Sequence, residues 1–120
     1  MPKNRYRRRW RDYRSASGRS PVKAFVMELS LTDRAAVAAA MKDVQIHGHS
    51  VAHHLRREIY EVIARASRRQ YRILYATEGR SDQILLALHA IVKKTPSIPA
   101  RDIALAERRL SDWRSRRPTP

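Results

Sequence analysis

Apolar and polar positions change period several times along this chain. Between Pro21 and Leu29 the apolar residues Val22, Phe25, Val26 and Leu29 recur at the spacing of one helix face. Ser20 followed by Pro21 supplies an N-cap and a proline at the first helical position. Thr32 is the expected N-cap of a second helix, Ala35 to Ile46, made of strong formers, with Ala36, Ala39, Ala40 and Val44 placed for close packing and Gly48 to end it. So few residues separate the two that they form a helical hairpin. Around them the period drops to two. Arg5 to Tyr13 places Tyr6 and Trp10 on one face of a half-buried strand whose other face is basic. Ile59 to Ala66 and Arg69 to Thr77 are strands joined by a turn at Ser67-Arg68, and Gln83 to Val92 is a third, buried strand after the Gly-containing turn Glu78 to Asp82. His49 to Glu58 reads as a polar, basic connection. Pro96 and Pro99 break the chain before a last helix, Ala100 to Arg114, with Ile103, Leu105, Ala106, Leu110 and Trp113 on its apolar side.

The order is β-α-α-β-β-β-α. It predicts an α+β fold: a single domain over residues 1–114, a small twisted, mainly antiparallel sheet with the helices packed on one face, and a basic, Pro-containing tail at 115–120. No internal repeat is visible.

Composition sharpens the picture through charge. The 120 residues carry 26 Lys and Arg against 11 Asp and Glu, a net charge of +15. Self-repulsion of that size points to a polyanionic partner. Arginine outnumbers lysine 21 to 5, which favours bidentate phosphate contacts and stacking on bases. With no cysteine there is neither a disulfide framework nor a thiolate metal site. The charged N-terminus lacks a signal-peptide apolar region, and apolar runs such as Ile84 to Leu88 are too short for a membrane helix. The expectation is a cytoplasmic protein with no membrane partner.

Strand parity then selects the chemistry. Tyr60, Val62 and Ala64 share one face, opposite Glu61, Ile63 and Arg65; Tyr71, Ile73 and Tyr75 oppose Arg72 and Leu74; Leu85, Ala87, His89 and Ile91 oppose Ile84, Leu86, Leu88 and Ala90. If the helices cover one face, Arg65, Arg72 and His89 converge on the open one, about 5–8 Å apart across antiparallel neighbours. That set suits RNA cleavage by 2′-hydroxyl attack, which needs an acid, a base and cations against the charge building on the phosphorus. His89 would be acid or base, Arg65 and Arg72 fixed electrostatic clamps, and Lys93 or Lys94 a further clamp, or a base where neighbouring positive charge lowers its pKa. His54, Arg56, Arg57, Arg68, Arg69 and Lys94 are candidate RNA contacts, and Tyr75, at a strand end, a base-stacking ring. A lone strand histidine is more commonly structural, Arg68 and Arg69 in a turn more commonly solvated, and tyrosines at Tyr60, Tyr71 and Tyr75 more commonly core. His47, His49, His53 and His54 have no interleaved carboxylate and match no zinc spacing, so no metal and no cofactor are expected.

On the segments GRSPVKAFVMEL (18–29), HLRREIYEV (54–62), RQYRILY (69–75), LHAIVKKT (88–95) and IALAERRLSDW (103–113), in this order over about 100 residues, the chain resembles the phage-derived branch of the RelE/HigB superfamily of type II toxins. The resemblance implies the fold just read, a metal-free endoribonuclease acting on mRNA at the ribosome, and neutralisation by a cognate helix-turn-helix antitoxin. By motif match Arg72 is the arginine of the YR-V-L-Y strand, Lys93-Lys94 the KK pair and His89 the histidine before it. Two positions depart from the pattern: Ile63 stands where the first central strand usually ends in arginine, with Arg65 two residues on, and Arg57 replaces the glycine before that strand. The alternative reading is a non-enzymatic RNA- or ribosome-binding protein of the same fold that has lost cleavage. A third is a partner that works by binding an acidic protein.

Overall fold

The computed structural model describes residues 8–116. The expected strand residues Arg5, Tyr6 and Arg7, and the tail beyond Arg116, lie outside them. The elements are β1 (Arg9–Asp12), α1 (Pro21–Met27), α2 (Leu31–His47), a 3₁₀ turn (Gly48–Val51), β2 (His53–Arg56), β3 (Ile59–Arg65), β4 (Gln70–Glu78), β5 (Ile84–Val92) and α3 (Ala100–Arg116). They build one five-stranded sheet in the order β1-β5-β4-β3-β2. β2 to β5 form an antiparallel meander, and β1 joins β5 in parallel. The fold class is therefore α+β with a mainly antiparallel sheet, as the periodicities predict.

Local chemistry sets the helix ends. Pro21 opens α1. Ser30, rather than the expected Thr32, caps α2: its hydroxyl accepts from the Asp33 N–H at 3.2 Å. Gly48 ends α2 in the left-handed region, φ 68, and an added Cβ there would come within 2.9 Å of the Arg8 guanidinium. Arg8 needs that space because it donates to the last carbonyls of the helix, Gln45 and Ile46.

Three expectations need correction. The first is that the helices share one face. Val22, Val37, Ala40 and Val44 of α1 and α2 pack on Val62, Ala64, Tyr71, Ile73, Tyr75 and Leu85. Ile103, Ala106 and Leu110 of α3 instead pack on Ile59, Leu74, Ala76, Leu86 and Leu88, the opposite side. β3, β4 and β5 carry apolar residues on both faces, so both need cover. Second, the presumed connection 49–58 contains a strand: His53, His54 and Arg56 pair with Glu61, Tyr60 and Ile59. The turn that follows holds Arg57 at φ 48. That is a left-handed residue at the position where the resembled family carries glycine.

Third, simple alternation fails in β5. Tyr75 pairs with Ala87 but the adjacent Leu74 pairs with His89, so Leu88 is an inserted residue. The bulge puts Leu88 and His89 on the same side, and moves His89 and Ile91 from the face of Ala87 to that of Arg72. α3 runs to Arg116, two residues past its expected end.

Candidate nucleic-acid interface

The α3-facing side of β3, β4 and β5 can be read as rows of cross-strand neighbours about 5 Å apart. Nearest the β3–β4 hairpin lie Arg65 and Gln70, followed by Lys93, whose N–H donates to the Gln70 carbonyl at 2.7 Å. The next row is Ile63, Arg72 and Ile91, and the one beyond it Glu61, Leu74 and His89. α3 roofs the far rows, where Leu74 lies under Ile103, Ala106 and Leu110, and leaves the hairpin end open.

Charge is handled oppositely along these rows. Arg72 is buried, its side chain 3% exposed. One guanidinium nitrogen donates to both Glu61 oxygens, at 2.6 and 2.8 Å, and the other to the carbonyls of Thr95 and Pro96, at 2.6 and 2.8 Å. It pins the β5–α3 connection to the sheet with charge-assisted bonds. His89, with its side chain 13% exposed, has Nε2 2.8 Å from Asp102 Oδ1, and Nδ1 lies 3.4 Å from Arg109 Nη1. A ring donating from Nε2 and accepting at Nδ1 fits both neighbours, and Arg109 also donates to the Leu88 carbonyl. In this arrangement Arg72 and His89 hold the protein's own chain.

At the hairpin end the cations face water. Arg65, Arg68, Arg69, Lys94 and Arg101 are exposed and Lys93 half-buried. Among the described residues none of Arg65, Arg68, Lys93, Lys94 or Arg101 takes part in an ion pair. Arg69 sits beside the Tyr71 hydroxyl, which donates to Asp33. The Asp33 bond is the main cause holding the Tyr71 phenol up.

The expected convergence of Arg65, Arg72 and His89 is thus not what the fold makes. The rows bring Arg65 to Lys93 across Gln70 and set His89 two rows away under α3. His54, Arg56 and Arg57 are on the β2 edge, at the other end of β3. Arg56 donates to Glu107 Oε1 at 2.6 Å and Arg57 to Glu107 Oε2 at 2.9 Å, so both clamp α3. These bonds, Arg56 first, hold the Glu107 carboxyl below its usual range. The exposed His54 ring bonds the Arg57 carbonyl at 2.6 Å and leans on Tyr60.

Tyr75 is not the exposed stacking ring that was expected. It is fully buried beneath α2, bonded through its hydroxyl to His49 Nδ1 at 2.9 Å, with its phenol pKa pushed up by burial. His49 lies flat on Tyr60, centroids 3.7 Å apart, and burial pulls its pKa down. Among the described residues no three His, Asp or Glu side chains are placed to hold a metal ion, and no helix is long and apolar enough to cross a membrane.

Sequence reasoning missed Glu61, Asp102, Glu107 and Arg109 as partners of the basic residues, and Arg101 as a member of the open cation set. Only Glu61 left a signal, since it shares a face with Arg65. The other four depend on where α3 docks. Among curated proteins no relative matches. A family model described as "Phage derived protein Gp49-like (DUF891)" matches residues 24–111, from inside α1 to the last turns of α3. The chain therefore belongs to the family of phage-derived Gp49-like proteins.

Proposed function

We propose that this protein is a toxin of the RelE/HigB kind, an endoribonuclease that cuts mRNA on the ribosome and is silenced by a cognate helix-turn-helix antitoxin. The observation that carries the reading is the open row of Arg65, Gln70 and Lys93, with Arg68, Lys94 and Arg101 around it and, among the described residues, no carboxylate paired to any of these cations. Arg65 and Lys93 stand two strands apart, about 10 Å between backbones, and long side chains from both can close on one phosphate. The Arg65 guanidinium would hold the non-bridging oxygens; as the 2′-oxygen attacks phosphorus its proton would pass to water, and the Lys93 ammonium would protonate the leaving 5′-oxygen. Arg72 would contribute from beneath by fixing the segment that carries Lys93 and Lys94. The remaining arginines would meet ribosomal RNA, where distributed cations are rewarded. Orientation of the mRNA by the ribosome makes a small catalytic set sufficient. Such a protein works in the cytoplasm.

A second reading, RNA or ribosome binding without cleavage, is favoured by one observation. The arginine and histidine that match the family motif are both engaged with carboxylates, and Ile63 stands where a third cation is usual. Mapping of 5′ ends on a reporter mRNA after brief induction separates the two. New ends within translated codons, lost in Arg65→Ala/Lys93→Ala, support the nuclease. Growth arrest without new ends establishes the binder.

A further inference from the structure

Beside the open cation row the sheet has an unfinished edge. β1 pairs only with Ile84–Ala87 of β5, so among the described residues no strand lies outside the second half of β5. The register with β4 decides which backbone groups point outward. The Lys93 N–H goes to Gln70, Ile91 stands opposite Arg72, and Val92 opposite Tyr71. In the alternation of an antiparallel ladder, Val92 then turns its N–H and C=O away from β4. A cleft of about 470 Å³ straddles this edge, with Phe25, Ile91, Val92 and Pro99 as apolar walls and Lys94 and Arg101 on its rim.

That volume falls in the small-ligand range, about 300–1,000 Å³. Phe25 is held edge-on to Tyr71, centroids 6.0 Å apart and planes at 78°. The other charged groups along the cleft are already committed, Arg72 to Glu61 and Asp102 to His89. The rim is therefore positive.

We propose that this cleft receives one unstacked nucleobase of single-stranded RNA. The base would lie against Phe25, its edge read by the outward backbone of Val92, and its flanking phosphates would rest on Lys94 and Arg101. This rests on the RNA reading above and adds recognition of a base to recognition of phosphate. An extended acidic peptide would meet the same cations, but the open edge is too short to take a strand. It offers Ala90 and Val92 before the bulge at Leu88, whose carbonyl already accepts from Arg109.

The test compares two fluorescent oligomers of equal length and charge, a single-stranded RNA and an abasic ribose-phosphate chain, by anisotropy. Wild type should prefer the base-bearing oligomer by about tenfold, the scale of one stacked base. Phe25→Leu, which keeps apolar bulk against Tyr71, should bring the preference near unity and leave the abasic affinity unchanged. Arg65→Ala/Lys93→Ala should weaken both oligomers alike. A 2-aminopurine in the RNA should brighten on binding wild type as the base leaves its stacked neighbours, which tests the site even if Phe25→Leu folds poorly. Equal affinity of wild type for both oligomers, or a preference that survives Phe25→Leu, overturns the base site while the phosphate reading stands. Equal affinity with tighter binding of an oligoglutamate peptide would hand the cleft to an acidic protein. Binding of neither oligomer would sink the RNA reading itself.

Discussion

Two populations of arginine share one side of this sheet. Under α3 and along its flanks Arg72, Arg56, Arg57 and Arg114 are each matched to a carboxylate: Glu61, Glu107 for two of them, and Glu58 with Glu78. At the hairpin end Arg65, Arg68, Lys93 and Lys94 have none among the described residues. The protein has 11 acids for 26 cations, and it spends many of them on fixing α3 and its connection. The surplus is not spread evenly as a result. The difference teaches that in so basic a chain the acids, more than the cations, mark which arginines are structural. Each population predicts a different response when it is disturbed.

The largest response is expected at the buried pair. Removing Glu61 leaves the Arg72 charge without its carboxylate in a site 3% exposed. Glu61→Leu should lower unfolding free energy by about 3–5 kcal/mol in urea titrations. Glu61→Leu with Arg72→Met removes both charges, and most of that loss should return. If the double variant is as unstable as the single, Arg72 matters for its bonds to Thr95 and Pro96 and not for its charge balance.

A smaller loss is expected on the flank of α3. Arg114 donates to Glu58 and to the buried Glu78, at 2.5–2.8 Å. Arg114→Ala should cost about 1–3 kcal/mol, with hydrogen exchange rising first in the last turns of α3. Uniform loss of protection over the whole sheet would instead mean that α3 and the sheet unfold as one unit.

The sequence made the elements legible because their periods are clear: the helical spacing of Val22, Phe25, Val26 and Leu29, the alternation of β3 and β4, the Gly48 stop. It also placed Arg72 on a face with Arg65. It did not make the partners legible. Whether Arg72 meets a phosphate or Glu61 depends on a cross-strand diagonal and on a loop, Thr95–Pro96, that returns over the strand. Whether His89 faces Arg72 at all depends on one inserted residue, Leu88, which leaves no composition signal. β2 was invisible because His53, His54 and Arg56 pair through their backbones at an edge, where side chains need not be apolar. α3 looked like one more helix for the same face because its apolar stripe says that it packs and not where.

Acid should separate the two populations further. Arg114 bonds hold Glu58 below its ordinary value of 4.5, and Arg56 and Arg57 do the same for Glu107. A carboxylate with a lowered folded pKa stabilises above its unfolded value and loses that contribution as pH falls through the folded one. The clamps on α3 should therefore weaken only below about pH 4.5, and melting temperature should fall there. Glu107→Gln should flatten part of that slope. The open cations have no such partner among the described residues, so Arg65→Ala should leave the acid limb where it is. An unchanged slope in Glu107→Gln would show that other carboxylates carry the acid transition.

The smallest effect on stability belongs to the residues that matter most for binding. Arg65 and Lys93 make no ion pair with a described residue, and their removal relieves repulsion at a crowded positive end. Arg65→Ala/Lys93→Ala should shift unfolding free energy by no more than about 0.5 kcal/mol. The same change should lower the slope of log affinity for RNA against log salt by about 1 to 2, since each phosphate contact releases counterions as a unit. A structural arginine behaves in the opposite way. Arg56→Ala should destabilise α3 and leave the salt slope nearly untouched, because Glu107 already holds that guanidinium. If Arg56→Ala lowers the slope as much as the double variant does, the division between paired and open cations is wrong. RNA would then be able to displace Glu107, and the β2 edge would join the interface.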